Sequence, residues 1–328
     1  MAQMSKKIQF HDDDKLKKVN PETVKLWKKY EADMSLRNLS DGTIKGYRND
    51  IEHLWIYTYD NLDNVAITEL TEDDLTEFFY FCKTEGNNPK RIKRRMSSIS
   101  AFYKYLRKKK IISENPMEFI DRPARDVDVI TQTFLTKEQI ADLRIKLEAN
   151  YKDAKTVSQK HLALSYLCYA MFSLSTMARV TAVSNIMWQQ INFDDRVVLD
   201  VLEKEAKVVT LYFSEDVKNL LMTLKSFRDE NNIDDTGYVF ISKDTDGYHK
   251  VSSNTLSQWC KKIGAIINVP TLHPHDFRHS SSTILRNSGM ALEDIAVLLN
   301  HESTETTLKY YIRRDDSKVV AKKDELGI

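Results

Sequence analysis

Between residue 21 and about residue 119, hydrophobic positions recur at helical spacing in four stretches separated by short polar connections. The first is ETVKLWKKYEADMSLR. The second is TIKGYRNDIEHLWIYTYD, with Ser40 or Asp41 as N-cap. The third is TEDDLTEFFYFCKTEG, where Thr71 and Asp74 have capping-box spacing, and the fourth runs from Pro89 to Lys109. Four helices with short connections predict a small bundle. Periodicity is then lost in IISENPMEFIDRPARDVDV, which carries Pro116 and Pro123 and whose second half reads as a linker. It resumes in LTKEQIADLRIKLEANY, capped by Thr136, and in the long apolar helix HLALSYLCYAMFSLST. Two runs rich in β-branched residues, RVVLDVLE and KVVTLYF, flank a short polar turn and predict a hairpin. GYVFIS, with the GYHKVS that follows, is the candidate for a further edge, and everything after Asn254 reads as helix. The expected fold class is mainly α with a small antiparallel β-sheet, in two domains.

The boundaries expected from this pattern are a flexible N-terminal arm over 1–20, a helical domain over 21–122, a linker over 123–135, a second domain over 136–312 and a C-terminal tail over 313–328. Length agrees, since 328 residues exceed what one core usually serves, and 41% hydrophobic residues can fill two. No apolar run approaches the ~20 residues of a membrane span, MAQMSKKIQFHDDDK has no signal-peptide core, and the KDEL string in KKDELGI is not terminal. Cys82, Cys168 and Cys260 are far apart and odd in number, which reads as reduced, core-filling thiols in a cytoplasmic protein. Glycine is too sparse for a phosphate-cradling loop, and GxGxxG and P-loop motifs are absent, so neither ATP nor a dinucleotide is implied.

A net charge of +1 alone argues against a nucleic-acid partner. Its distribution reverses that. Asp60 to Glu85 is acidic, whereas Lys90 to Lys110 holds no acid. There Lys90, Arg91, Lys93, Arg94, Arg95, Lys104, Arg107 and Lys108 interleave with Ile92, Met96, Ile99, Phe102, Tyr103 and Leu106. Charge runs are usually no more than solvated faces. An apolar stripe opposed to a basic one is nevertheless how a helix lies against a DNA backbone, and these eight cations are the DNA-contact candidates.

The candidate chemistry lies near the end, in HPHDFRH (His275, Arg278, His279), LLNHES (His301) and TTLKYY (Tyr310). A tyrosine with an ordinary pKa near ~10 needs a general base and neighbouring cations before it attacks a phosphodiester at neutral pH. Imidazoles and an arginine supply both, and His275 and Arg278 share a face of a helix opened by Pro274. A histidine cluster could instead hold a metal, but an arginine in its midst repels a cation, and no metal or cofactor is expected. Tyr311 rivals Tyr310, although Leu308 and Ile312 mark it for packing.

In these motifs the chain resembles the tyrosine recombinases, or phage-type integrases, a family that includes the Cre-like and Xer-like site-specific recombinases. The family's His-x-x-Arg pair matches His275 and Arg278, its leucine-rich helix and following histidine match IAVLLNH ending at His301, and its tyrosine nine residues on matches Tyr310. An earlier arginine followed by a tryptophan and an Ile-Asp/Asn-Phe stretch matches Arg179, Trp188, Ile191 and Phe193. The family carries an acid three positions after that arginine, where this chain has Ala182.

The resemblance implies a two-domain DNA clamp, a core-binding (SAM-like) domain followed by the catalytic domain. It implies a hairpin lysine as general acid, Lys204 aligning better than Lys207, and a 3'-phosphotyrosyl intermediate formed without metal or ATP. Arg179 and Arg278 would clamp the phosphate, His275 and His301 would bond to the transition state, and Tyr310 would attack. The implied partner is double-stranded DNA with paired inverted core sites, bound by a homo-tetramer in the cytoplasm at the nucleoid. The charged tail over 313–328 has little to gain by folding back on its own domain and is expected to dock on a neighbouring protomer. The biology is integration, excision or dimer resolution. The alternative is a non-catalytic helix-turn-helix regulator, because ALEDIAVLLNHESTETTLKYY also fits that motif with Leu292, Ile295, Ala296 and Leu299 as its core.

Overall fold

The structure, a computed structural model, describes residues 12–124, 134–203, 207–300 and residue 304. The chain divides into two compact units, residues 1–130 and 131–328.

The first unit contains α1 (Asp13–Leu16), α2 (Pro21–Leu36), α3 (Asp41–Asn61), α4 (Glu72–Thr84) and α5 (Pro89–Lys108). Each longer helix starts where a side-chain oxygen satisfies an orphan N–H. Asn20 accepts from Glu22, Ser40 from Thr43 and Asn88 from Arg91, while Thr71 and Asp74 complete a capping box. Pro21 and Pro89 occupy first-turn positions, where a missing N–H costs nothing. The helices close on an aromatic cluster in which the Trp27 ring centroid lies 5.7 Å from Phe102 and 6.0 Å from Trp55, and Tyr30 stacks on Phe102 at 5.2 Å. Part of the expected flexible arm is folded: residues 13–16 form α1, Lys15 pairs with Asp60 at 2.7 Å, and Val19 is buried in the core. Burying Val19 and pairing Lys15 offset part of the cost of ordering that segment.

The second unit opens with α6 (Lys137–Asp153), α7 (Val157–Thr176) and α8 (Val180–Val183). A 3-10 turn (Trp188–Gln190) leads into an antiparallel sheet of β1 (Ile191–Asn192), β2 (Val197–Leu202) and β3 (Val208–Tyr212), in that order. Then come α9 (Glu215–Glu230), β4 (Ile241–Asp244), β5 (Gly247–Lys250), α10 (Ser253–Ile266), α11 (Pro274–Asn287) and α12 (Leu292–Leu298). Apolar nearly all round, α7 is the buried axis, packed by α6, α9, α10 and α11. The run expected as a further edge does not extend the first sheet; β4 and β5 pair with each other in a separate two-stranded sheet. The end of the expected linker belongs to this unit too, because Leu135 is fully buried and its N–H donates to Ser280 Oγ at 2.7 Å. All three cysteines are buried free thiols. Among the described residues no helix is long and apolar enough to cross a membrane.

Two local features set the catalytic elements. A Cβ on Gly264, near the end of α10, would meet Val269 O at 2.1 Å and Leu272 Cβ at 2.6 Å, so only glycine admits the loop that delivers the chain to α11. In the hairpin, register shifts between Val198 and Val201, where Asp200 takes φ 53°. The bulge resets which residues face the core.

Candidate active site and nucleic-acid interface

Helix α7 ends at Met177, whose left-handed φ of 52° bends the chain so that Arg179 becomes the N-cap residue of α8. The Arg179 side chain is about a quarter exposed, and its Nη1 pairs with Glu203 Oε2. Glu203 follows β2, and its N–H donates to Lys207 O at 2.8 Å, closing the hairpin. Its carboxylate is buried, with 1% of the side chain exposed.

Pro274 starts α11, and the end is capped by His273 and Asp276, the His273 N–H donating to Asp276 Oδ2 at 2.7 Å. Arg278 is buried on this helix. Its Nη1 donates to Met177 O at 2.7 Å and its Nη2 to Leu299 O, tying α11 to the bend that carries Arg179 and to the end of α12. His275 lies on the exposed side, its ring centroid 5.8 Å from His273 and 6.4 Å from His279. Partial desolvation, then the charges of His273, Arg278 and Arg179, hold its pKa below the usual 6.5. Arg278, three residues after His275 on the helix and bonded to the carbonyl two residues before Arg179, puts the three residues in one locality. His279 is buried, and burial, followed by His275 and Arg278, lowers it to about 4. It is neutral at pH 7.

Of the residues singled out from sequence, Arg179, His275 and Arg278 are thus brought together. Lys204, His301 and Tyr310, with Tyr311, lie outside the described residues. Lys207 is described and exposed, on the β3 side of the turn. No group of three or more histidine, cysteine or acidic side chains placed to hold a metal occurs among the described residues.

On α5, Lys90, Lys93, Arg94, Lys104 and Lys108 fall within one narrow stripe at helical periodicity. Lys90, Arg94, Lys104 and Lys108 are exposed, and Arg91 and Lys93 are half-buried. Arg94 donates to Asp50 at 2.6 Å, and Arg107 to Glu118 at 2.8 Å. Arg95 departs from its sequence assignment as a DNA contact. Five residues on from Lys90 it points to the opposite side, is 0% exposed, donates to Cys82 Sγ at 2.9 Å and lies 3.8 Å from Asp50. It is part of the core.

The family model described as the phage integrase family matches residues 134–318, and that of the phage integrase N-terminal SAM-like domain matches residues 28–110. The chain belongs to the phage integrase family. Curated integrase relatives include the tyrosine recombinase XerC of Pediococcus pentosaceus, 24% identical over 88% of this chain and 92% of its own, and a tyrosine recombinase of Thermosipho africanus, 26% identical over 88% and 94%. Among solved structures, the integrase fold matches XerH site-specific recombinase bound to palindromic difH substrate with a TM-score of 0.70 at 14% identity, covering 99% of this chain and 92% of that one. It matches the Tn1549 transposon integrase in complex with circular intermediate DNA with a TM-score of 0.67 at 18% identity, covering 92% and 99%.

Against this integrase frame, the residue that sequence reasoning missed is Glu203. The available signal was parity, since Glu203 stands two positions after the inward Val201 at the end of β2. The bulge hides it, because alternation counted from Val198 gives the opposite face.

Proposed function

We propose that this chain cuts and rejoins DNA through a 3'-phosphotyrosyl intermediate on Tyr310, with Arg179, Lys204, His275, Arg278 and His301 completing the site. That it is a tyrosine site-specific recombinase acting on DNA follows from its family; the residue roles are the proposal. The observation that carries them is the convergence of two arginines, 99 positions apart in the chain, on one histidine, with Arg278 anchored to the Met177 carbonyl beside Arg179.

In this reading Arg179, partly exposed, is the guanidinium that a scissile phosphate meets first. Arg278, held by main-chain carbonyls, supplies a fixed charge behind it. His275, neutral at pH 7, can accept the Tyr310 proton or donate a hydrogen bond to a non-bridging oxygen, and His301 would share that work. The phenolate oxygen attacks phosphorus, the bond to the 5'-oxygen breaks, and Lys204 delivers a proton to the departing oxygen. Energy of the cleaved bond is kept in the phosphotyrosine, so a second 5'-hydroxyl can reverse the step on another strand without ATP. The stripe on α5 grips the backbone. Two duplexes with two cleavage positions each call for four active sites, hence a tetramer on paired inverted sites, with residues 313–328 docking on a neighbouring protomer.

A nicked suicide substrate tests this. Wild-type protein should be trapped on DNA in a denaturing gel, and Tyr310→Phe should bind equally well yet give no covalent complex. Trapping that persists in Tyr310→Phe and vanishes in Tyr311→Phe would move the nucleophile by one residue.

A further inference from the structure

Among the described residues of the second unit, Glu203 and Asp276 are the buried acids, and Glu203 is the one paired with an arginine. Its side chain is almost wholly buried, and one oxygen meets Arg179 while the other, Oε1, has no hydrogen-bond partner among the described residues. A carboxylate desolvated to this degree persists only where a cation repays the cost, and leaving it half-satisfied is expensive. Surface pairs elsewhere in the unit, such as Lys146 with Asp142 at 2.9 Å, face no such penalty because water screens them. The pairing is therefore not an incidental surface contact.

Position 182, where the family resemblance leads one to expect an acid, is an alanine 1% exposed on α8, with no polar group to offer Arg179. The carboxylate comes from another element, the end of β2. A guanidinium presents five N–H donors in a planar fork; a carboxylate on one Nη leaves the remaining donors for a phosphate.

We infer that Glu203 is the positioning residue of Arg179: it fixes the guanidinium's orientation from the hairpin side and does the work for which α8 provides no acid. Because Glu203 immediately precedes Lys204 and is bonded through its main chain to Lys207, the arginine's orientation is coupled to the hairpin that bears the candidate general acid. This rests on the assignment of Arg179 as a phosphate ligand.

The test compares wild type with Glu203→Gln, which keeps the shape and removes the charge, on two suicide substrates: an ordinary phosphodiester, and a methylphosphonate in which the scissile phosphate is neutral. Glu203→Gln should melt near wild type and bind a half-site within about twofold, yet form covalent complex at least about tenfold more slowly on the phosphodiester. On the methylphosphonate, where orienting a guanidinium toward an anionic oxygen matters less, the deficit should shrink to roughly threefold or less. Combining it with Arg179→Lys should add little to Arg179→Lys alone, since both act through one group. Should Glu203→Gln fail to fold, Glu203→Asp keeps the charge but retracts it, and the same substrate-dependent deficit is expected at smaller size. Wild-type rates in Glu203→Gln, equal deficits on both substrates, or additivity with Arg179→Lys would each overturn the inference while leaving the tyrosine chemistry standing. A wild-type chain that traps no DNA would instead overturn the chemistry itself.

Discussion

Helices α5 and α11 draw on similar ingredients, cations and small polar residues among apolar ones, and use them in opposite senses. On α5 the apolar residues Ile92, Met96, Ile99, Phe102 and Leu106 are buried and the cations ring the outside, with Arg95 the exception. On α11 Phe277 is buried, but so is a run of polar residues: Arg278, His279, Ser280, Ser282 and Thr283 are buried, whereas Ile284 and Leu285 are only half-buried. What permits this is local satisfaction. Ser281 Oγ donates to Leu174 O at 2.6 Å, Ser280 Oγ accepts from Leu135 N at 2.7 Å, and Arg278 spends two donors on Met177 O and Leu299 O. A helix that binds from its surface needs only amphipathicity. A helix that builds a site must hide polar groups and find partners for each.

The largest expected effect breaks α11. Arg278→Ala should lower covalent-complex formation about a thousandfold or more and destabilise the second unit by roughly 2–4 kcal/mol, because buried carbonyls lose their donors along with the charge. Suicide-substrate trapping and urea melts measure the two. Unchanged stability would mean that those carbonyls find other partners and that the helix is less interlocked than its bonds imply.

Next comes the stripe on α5. Removing Lys104 and Lys108 together should weaken half-site binding and reduce the slope of log K against log salt by about 2, one per phosphate contact. Arg95→Met, on the inner side, should leave that slope unchanged. A reduced slope for Arg95→Met would restore Arg95 as a DNA contact and erase the distinction between the two sides of α5.

The smallest effect is acid sensitivity. His53, on α3, and His279 are each held at about 4, chiefly by burial, and then by Arg95 for His53 and by His275 and Arg278 for His279. For a histidine whose folded pKa is lowered, the unfolded chain binds the extra proton between the two values. Its contribution is whole above pH 6.5 and is lost as pH falls towards 4. Both units should therefore have lower urea midpoints at pH 4.5 than at pH 7, and His279→Gln should flatten that dependence in the second unit alone. A profile unaltered by the substitution would assign the acid loss to other groups.

Much of this fold was legible because its signals are local. Capping at Thr71 and Thr136, the stripe of α5 and the β-branched runs of β2 and β3 are each set by neighbours in sequence. At the site, the His-x-x-Arg spacing announced His275 and Arg278, and the motif around Arg179 announced the first arginine. Arg95 was misread because a basic run counts charge without phase; its angular position on the helix held the answer. Glu203 was missed because its meaning depends on a bulge and on a partner 24 residues away. The separate β4 and β5 hairpin was misjudged because nothing local says which sheet a strand will join.

Met177 ends α7 in a backbone state that costs an ordinary side chain about 1 kcal/mol, and it has no β-branch to make the cost worse. Its carbonyl, aimed by that bend, receives Arg278. For anyone transplanting this chemistry to another scaffold, the portable unit is a kink whose buried carbonyl oxygen holds one arginine while the chain just beyond it carries the other. What position 177 supplies is the aim of its main-chain oxygen rather than the chemistry of its side chain, and that aim is the hinge pin of the arrangement.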